Sequence, residues 1–242
     1  MADYSNKGNA NSYQYGGFSS YKTEVYEPEQ LEAVCGFIEQ QFGPVQNVFH
    51  EIASPDIHVD LHIIGPSSQR PYYTVVTTGM GAHKMRIPRS LRSQQLEYAE
   101  LLICLPPDWE LENSSEQWYW PLRALKVAAR LPIMADTWLG WGHTISATPE
   151  MGEPFEQSTQ LAASILTHPK SFLSDAQCYY TLPDGRRINF YQMVPLYQQE
   201  LEYKIDKSAE SLCKRISEQL GDAPFVVDIH RKNTCADWEG EG

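Results

Sequence analysis

The stretch DTWLGWGHT, Asp136 to Thr144, sets an aspartate and a histidine around two tryptophans and two glycines. Imidazole titrates near neutral pH, so an aspartate that orients His143 would make it a general base. Nucleophilic chemistry needs more partners than that. The chain holds no serine in a GxSxG elbow and no second carboxylate at a defined spacing from His143. Two non-chemical readings use the same residues. Gly140 and Gly142 would let the chain bend tightly, so that Trp138 and Trp141 pack on the preceding helix and His143 satisfies a buried carbonyl or carboxylate. Or Asp136, Trp138, Trp141 and His143 form a contact surface, because tryptophan-rich turns concentrate binding energy at interfaces. The expectation is architecture first, contact surface second.

A second set lies upstream. His58, Asp60 and His62 alternate with apolar residues. On a strand they share one face, with roughly 6–7 Å between successive side chains. Two histidines and an aspartate are zinc or iron ligand types, and with His143 they would suit a metal-assisted hydrolase. One strand rarely supplies three ligands, and neither HExxH nor a cysteine cluster accompanies them. A polar strand face is therefore expected, with no metal and no cofactor. TTGMG, Thr77 to Gly81, has the glycines of a phosphate loop but neither GxGxxG nor the following lysine. It reads as a tight turn leaving a strand. The residues after it make a second candidate contact loop, with Met80 and His83 ahead of Lys84, Arg86, Arg89 and Arg92.

Regular elements must position these residues. Residues 1–22, rich in Tyr, Asn, Ser and Gly, read as a flexible tail. Leu31, Val34, Cys35, Ile38 and Phe42 recur at helical spacing between Pro28 and Gly43. VQNVFHEI, IHVDLHII and YYTVVTTG follow with strand patterning, and the nearly continuous apolar run AELLICLP predicts a central buried strand closed by Pro106 and Pro107. SSEQWYWPLRALKVAARLP predicts a helix, with Pro121 in its first turn or at a break. PFEQSTQLAASIL reads as a short helix or loop. AQCYYTLPDGRRINFYQMVPLY reads as a hairpin turning at Pro183-Asp184-Gly185, with Ile188, Phe190, Gln192 and Val194 on one face. One helix is expected from Tyr197 to Gly221, with Leu201, Ile205, Leu212, Ile216 and Leu220 inward. FVVDIH suggests a last short strand, and residues 233–242 an acidic, loose C-terminal tail. Irregular mixing of helices and strands predicts the α+β class: a single domain over 23–232 with a mixed, largely antiparallel β-sheet packed against several α-helices.

Charge narrows the function classes. The chain of 242 residues carries a formal charge of −12. Nucleic-acid footprints and anionic membrane surfaces need clustered Lys and Arg, so neither partner is expected. Five cysteines, an odd number without CxxC spacing, fit a reduced, cytoplasmic compartment.

Several segments then carry a resemblance. HVDLHII (58–64), YYTVVTTGMG (72–81), AELLICLPPDW (99–109), YWPLRALKVAARLP (119–132), TWLGWGHTI (137–145), DGRRINFYQMVPLYQQELEYK (184–204) and DIHR (228–231) occur in one order. Together they resemble the suppressor of fused-like domain family, in its single-domain bacterial type. The resemblance implies a non-enzymatic, intracellular protein-binding domain that needs no cofactor. Animal members bind and restrain a transcription factor, whose peptide adds as a strand between this domain and a second one. Bacterial members are associated with toxin gene clusters and are thought to act as immunity proteins. The function expected is therefore neutralisation of a protein partner, a basic toxin, with a regulator of an extended peptide as one alternative and the hydrolase as another.

Overall fold

The structure is a computed structural model, and it describes residues 23–169, 178–221 and 224–240. The expected tail at 1–22 lies outside the described residues, as do Ala176 and Gln177 at the start of the expected hairpin.

Helix α1 (Pro28–Phe42) leads into β1 (Val45–Phe49), β2 (Asp60–Ile64), β3 (Tyr73–Thr78) and β4 (Tyr98–Leu105). Helix α2 (Glu116–Ala135) is followed by β5 (Thr144–Ser146), β6 (Leu161–Thr167), β7 (Tyr179–Thr181) and β8 (Arg187–Tyr197). Helices α3 (Gln198–Asp206) and α4 (Ala209–Leu220) complete the elements. The strands form one sheet in the order β1-β2-β3-β4-β8-β6-β5, with β7 paired to the N-terminal half of β8. β4 and β8 are parallel, and the other described pairs are antiparallel. This is the α+β class with a mixed sheet, as the patterning predicts.

Strand alternation divides the core. Odd-numbered side chains such as Leu61, Ile63, Val75, Leu101 and Ile103 turn to one face, where α2 packs Trp120, Leu125 and Ala128 over them. Even-numbered ones such as Ile64, Val76, Leu102, Ile188 and Phe190 turn to the other, beneath Val34, Phe37, Ile38 and Phe42 of α1. Leu31, expected on the same stripe, remains 39% exposed. On β8 the even face is shared. Ile188 and Phe190 meet α1, while Val194 and Leu196 meet Leu201, Leu212 and Ile216 of α3 and α4. Pro121 lies in the second turn of α2, and the helix runs through it.

Four expectations are corrected. LAASILT is the buried strand β6, whose flanks Pro154 and Thr159 do not start a helix. The long terminal helix breaks at Lys207 and Ser208. The Ser208 hydroxyl accepts the Ser211 amide at 3.1 Å and caps a new helix, leaving Ile205 64% exposed. FVVDIH is not a strand. It fills the fork that opens where β4 and β8 stop pairing after Leu102 and Gln192. One bond runs from the Val227 amide to the Cys104 carbonyl (2.9 Å), another from the Gln192 side chain to the Phe225 carbonyl (2.6 Å). The fourth concerns residues 233–240, which dock rather than hang loose. Cys235 is fully buried, and Trp238 packs edge-on to Tyr203 at 5.5 Å. Of the negative charges that suggest a solvated tail, Asp237 is paired with Arg215 at 2.8 Å.

Candidate functional site

The tryptophan–glycine stretch begins where α2 ends. Asp136 closes the helix with a left-handed backbone, φ 47° and ψ 50°, a conformation that Asp tolerates better than most residues. Its carboxylate pairs with Arg86 at the surface, so it is a helix cap and not an orienting group for His143. The loop is then tied at two points. Arg86 donates its amide to the Thr137 carbonyl at 3.2 Å, and the Leu139 amide reaches the Met85 sulfur at 3.3 Å. Gly142, at φ +79°, hands the chain to the sheet through its amide bond to the Leu166 carbonyl (2.7 Å), and β5 begins two residues later.

His143 packs its ring edge-on to Trp138, centroids 4.2 Å apart. Burial pushes its imidazole below the ordinary value, and the nearby Lys204 charge acts in the same direction against a bond the ring donates to the Trp138 backbone carbonyl. Among the described residues no carboxylate pairs with the ring, as the acid–base reading requires. Trp141 stacks over His168 at 6.5 Å, as an architectural residue does. Between the C-terminal half of α2 and β5 an open groove of about 640 Å³ remains. Val127 and Leu131 form one wall, Trp138, His143 and Ile145 another, and Lys204 stands at the rim with its ammonium 3.5 Å from the Thr144 hydroxyl. Among the described residues β5 is the last strand of the sheet, paired on one side only.

Trp138 is half-buried, so its removal costs less than loss of a core tryptophan. Trp138→Ala is expected to lower the unfolding free energy by about 2 kcal/mol while opening the groove. Chemical denaturation checks this, and a loss above about 4 kcal/mol would make the residue purely architectural.

The second candidate loop is adjacent through Met85 and Arg86, but its named side chains point elsewhere. Met80 is 1% exposed and belongs to the core, so it offers no surface. His83 bonds Glu24 at 3.0 Å. The turn is dictated by Gly79, whose φ is +117° and where an added Cβ would stand 1.9 Å from the His58 carbonyl oxygen.

The histidine strand is also taken apart. Asp60 lies between two imidazoles, His50 at 2.9 Å and His58 at 3.0 Å, and accepts the Glu51 amide at 2.9 Å. His62 is buried, with Nε2 at 4.0 Å from the Cys35 sulfur. Burial lowers its basicity more than the Asp60 charge restores it. His143 precedes β5, at the far end of the sheet from β2. Among the described residues no three His, Cys, Asp or Glu side chains gather as metal ligands. His50 and Ser54, the latter 3.0 Å from the His58 ring, went unnoticed in the sequence, because the β1–β2 connection that brings them back has no periodicity to read.

Two buried carboxylate clusters were equally hidden. Glu200 on α3 meets Arg231, and Glu100 on β4 gathers Tyr26, Thr77 and the amides of Gly79 and Gly81. Both hold loops in place around the sheet.

Comparison with known proteins completes the picture. The family model described as suppressor of fused protein (SUFU) matches residues 55–232. No curated protein matches significantly. Among solved structures, a suppressor of fused homologue from Neisseria gonorrhoeae is similar at a TM-score of 0.60 and 16% identity, over 87% of this chain and 98% of that one. A chain of the Sufu–Fu complex aligns at 0.62 and 13% identity, over 86% of this chain and 93% of the other. Drosophila Suppressor of Fused aligns at 0.57 and 13% identity over 86% of this chain, which spans only 52% of that longer protein. The ordered segments, the mixed sheet and a family match across most of its length lead to one conclusion: the chain belongs to the suppressor of fused protein family.

Proposed function

We propose that this chain is a protein-binding domain of the immunity type, which neutralises a basic protein toxin by covering it and makes or breaks no bond. The observation that carries the reading is the groove beside Trp138. It is open and apolar, with an aromatic wall, and its histidine lacks the acid partner that catalysis would need. Half-buried aromatic side chains of this kind anchor interfaces. The formal charge of −12 suits a basic partner, which it would draw in by long-range attraction and bind faster at low salt. The family supports the reading in its own terms, since one related solved structure is that of a protein complex. Five cysteines without a disulfide suit the cytoplasm, and no helix among the described residues is long and apolar enough to cross a membrane. An interface of ordinary size would bury roughly 1,600 Å² in total.

The free edge of β5 favours a second reading, in which the occupant is an extended segment of a regulated protein lying along Thr144–Ser146. One experiment separates the two. The chain is purified from its native host with whatever protein it holds. The immunity reading expects a folded basic partner whose toxic activity falls to background at equimolar mixing, with affinity at least tenfold weaker for Trp138→Ala. Competition by an isolated, unfolded segment of the partner would favour the peptide reading. Turnover of a substrate that disappears in His143→Ala would overturn both.

A further inference from the structure

The sheet has a second open edge. Among the described residues β1 pairs with β2 alone, and a groove of about 590 Å³ lies between it and the loop that leaves β4. We propose that this groove is a separate contact surface, built to receive an arginine-bearing segment of a protein partner. It rests on the reading of the chain as a protein-binding domain, but places the contact at the opposite end of the sheet from Trp138.

Three observations carry the inference. The first is chemical composition. Phe49, Ile63, Tyr73 and Leu111 supply an apolar and aromatic floor, and Glu110 and Glu112 stand over it. Both glutamates are exposed, and among the described residues neither is paired with a cation. An arginine side chain matches this arrangement. Its methylene stem lies on apolar surface, its guanidinium stacks on aromatic faces, and its fork of donors suits carboxylates. A small metal ion would not use the aromatic floor, and an anion would be repelled.

The second observation is rigidity. Trp109 is buried and packs edge-on to Trp118 at 5.1 Å and Trp120 at 6.3 Å, with its indole N–H donated to the Trp118 carbonyl at 2.8 Å. Asn113 donates its side-chain amide to the Glu110 carboxylate at 2.7 Å and its backbone amide to the Glu110 carbonyl at 3.0 Å. The Glu110 side of the acidic rim is therefore held ready before a partner arrives, which lowers the entropic cost of binding.

The third observation sets the mode of contact. The edge of β1 is blunted: the register slips between Val45 and Asn47, and the Asn47 side chain occupies the Val48 amide at 2.8 Å. A partner strand cannot extend the ladder there. The occupant enters by side chains across the sheet face.

The test uses the full chain and a defined probe, acetyl-Gly-Arg-Leu-Gly-Arg-Gly-amide, against the same peptide with citrulline in place of arginine. Citrulline keeps the shape and removes the charge. Amide chemical-shift mapping is expected to concentrate changes on Phe49, Leu111, Asn113 and the Trp109 indole, with the citrulline peptide at least tenfold weaker. Glu110→Gln with Glu112→Gln should weaken the arginine peptide at least fivefold and leave the melting curve unchanged, because both side chains are exposed. Shifts spread evenly over the acidic surface, or equal affinity for the two peptides, or equal affinity of the double variant, would each overturn the inference. If a native partner is held equally well by wild type and double variant, this surface falls while the protein-binding reading stands.

Discussion

Glu200→Ala is expected to lower the unfolding free energy by about 4–5 kcal/mol, since breaking a buried ion pair leaves an uncompensated charge in the core. The carboxylate is fully buried and the Arg231 side chain is 5% exposed. Glu200 accepts from the Arg231 guanidinium, from the amides of Tyr197 and Thr234 (2.9 Å each) and from the Thr234 hydroxyl at 2.8 Å. Arg231 also donates to the Pro195 carbonyl at 2.9 Å. One pair thus fastens the end of β8, the start of α3 and the C-terminal segment together. Removing Glu200 orphans the amides of Tyr197 and Thr234 and leaves the Arg231 guanidinium only the Pro195 and Lys232 carbonyls. Removing the guanidinium in Arg231→Ala leaves the carboxylate three of its bonds, and about 3 kcal/mol is the expected loss. Typical domains have only about 5–15 kcal/mol in total, so Glu200→Ala should stand near the edge of folding at 37 °C. Burial alone would raise the pKa of Glu200, but the bond and charge from Arg231, with the amides of Thr234 and Tyr197, outweigh it and hold the carboxyl below its ordinary value. Its contribution is therefore complete above the ordinary carboxylate range and is lost as the pH falls through the lower folded value. Urea unfolding at pH 7 measures the effect, and a loss below about 1 kcal/mol would mean that the pair does not lock the segment.

That lock also explains where sequence reading stops. Short-range periodicity made β4, α1 and α2 legible, because each buries a stripe or an alternating face that its own residues declare. The family segments were legible for the same reason. β6 was not, because LAASILT is small and uniform and gains its strand identity from β8 and β5 on either side. The C-terminal residues looked like a solvated tail because their acidic character is local, whereas the arginine that organises them pairs with a glutamate 31 positions away. At the site, the residues of DTWLGWGHT were visible but their roles were not. Asp136 and His143 are close in sequence, yet the left-handed cap at Asp136 turns its carboxylate to Arg86, fifty positions back. The groove exists only once α2, β5 and α3 are placed together, and no pattern within any one of them announces it.

Glu100 carries the other large effect, and its sign is distinctive. β3 and β4 pair as far as Val76 and Leu102 and then diverge. Thr77 bridges the opening: its hydroxyl accepts the Leu101 amide at 2.8 Å and donates to Glu100 at 2.6 Å. The other carboxylate oxygen accepts Tyr26 at 2.8 Å and the amides of Gly79 and Gly81 at 2.9 and 3.0 Å. Glu100→Ala leaves these donors buried without an acceptor, and a loss of about 3 kcal/mol is expected from several unsatisfied groups together. Gln at the same position retains an oxygen able to accept the three bonds and should fold well. Complete burial pushes the Glu100 acid up from 4.5 to about 7 despite those donors. The folded chain therefore binds this proton more tightly than the unfolded chain does. Stability from this source is full below the ordinary value of 4.5 and is lost as the pH climbs to about 7, after which it is constant. Relative to wild type, Glu100→Gln should accordingly gain about 3 kcal/mol between pH 4.5 and pH 8, since the amide does not titrate and other groups cancel in the difference. Paired urea curves at the two pH values measure it, and a difference that stays flat would show that Glu100 does not titrate in this range. The same cluster bears on function. Gly79 and Gly81 open the loop that reaches Met85 and Arg86, and those residues hold the backbone of Thr137 and Leu139. If the groove beside Trp138 receives the partner, Glu100→Ala should weaken partner binding as well as stability, while Glu100→Gln should leave binding at its wild-type level.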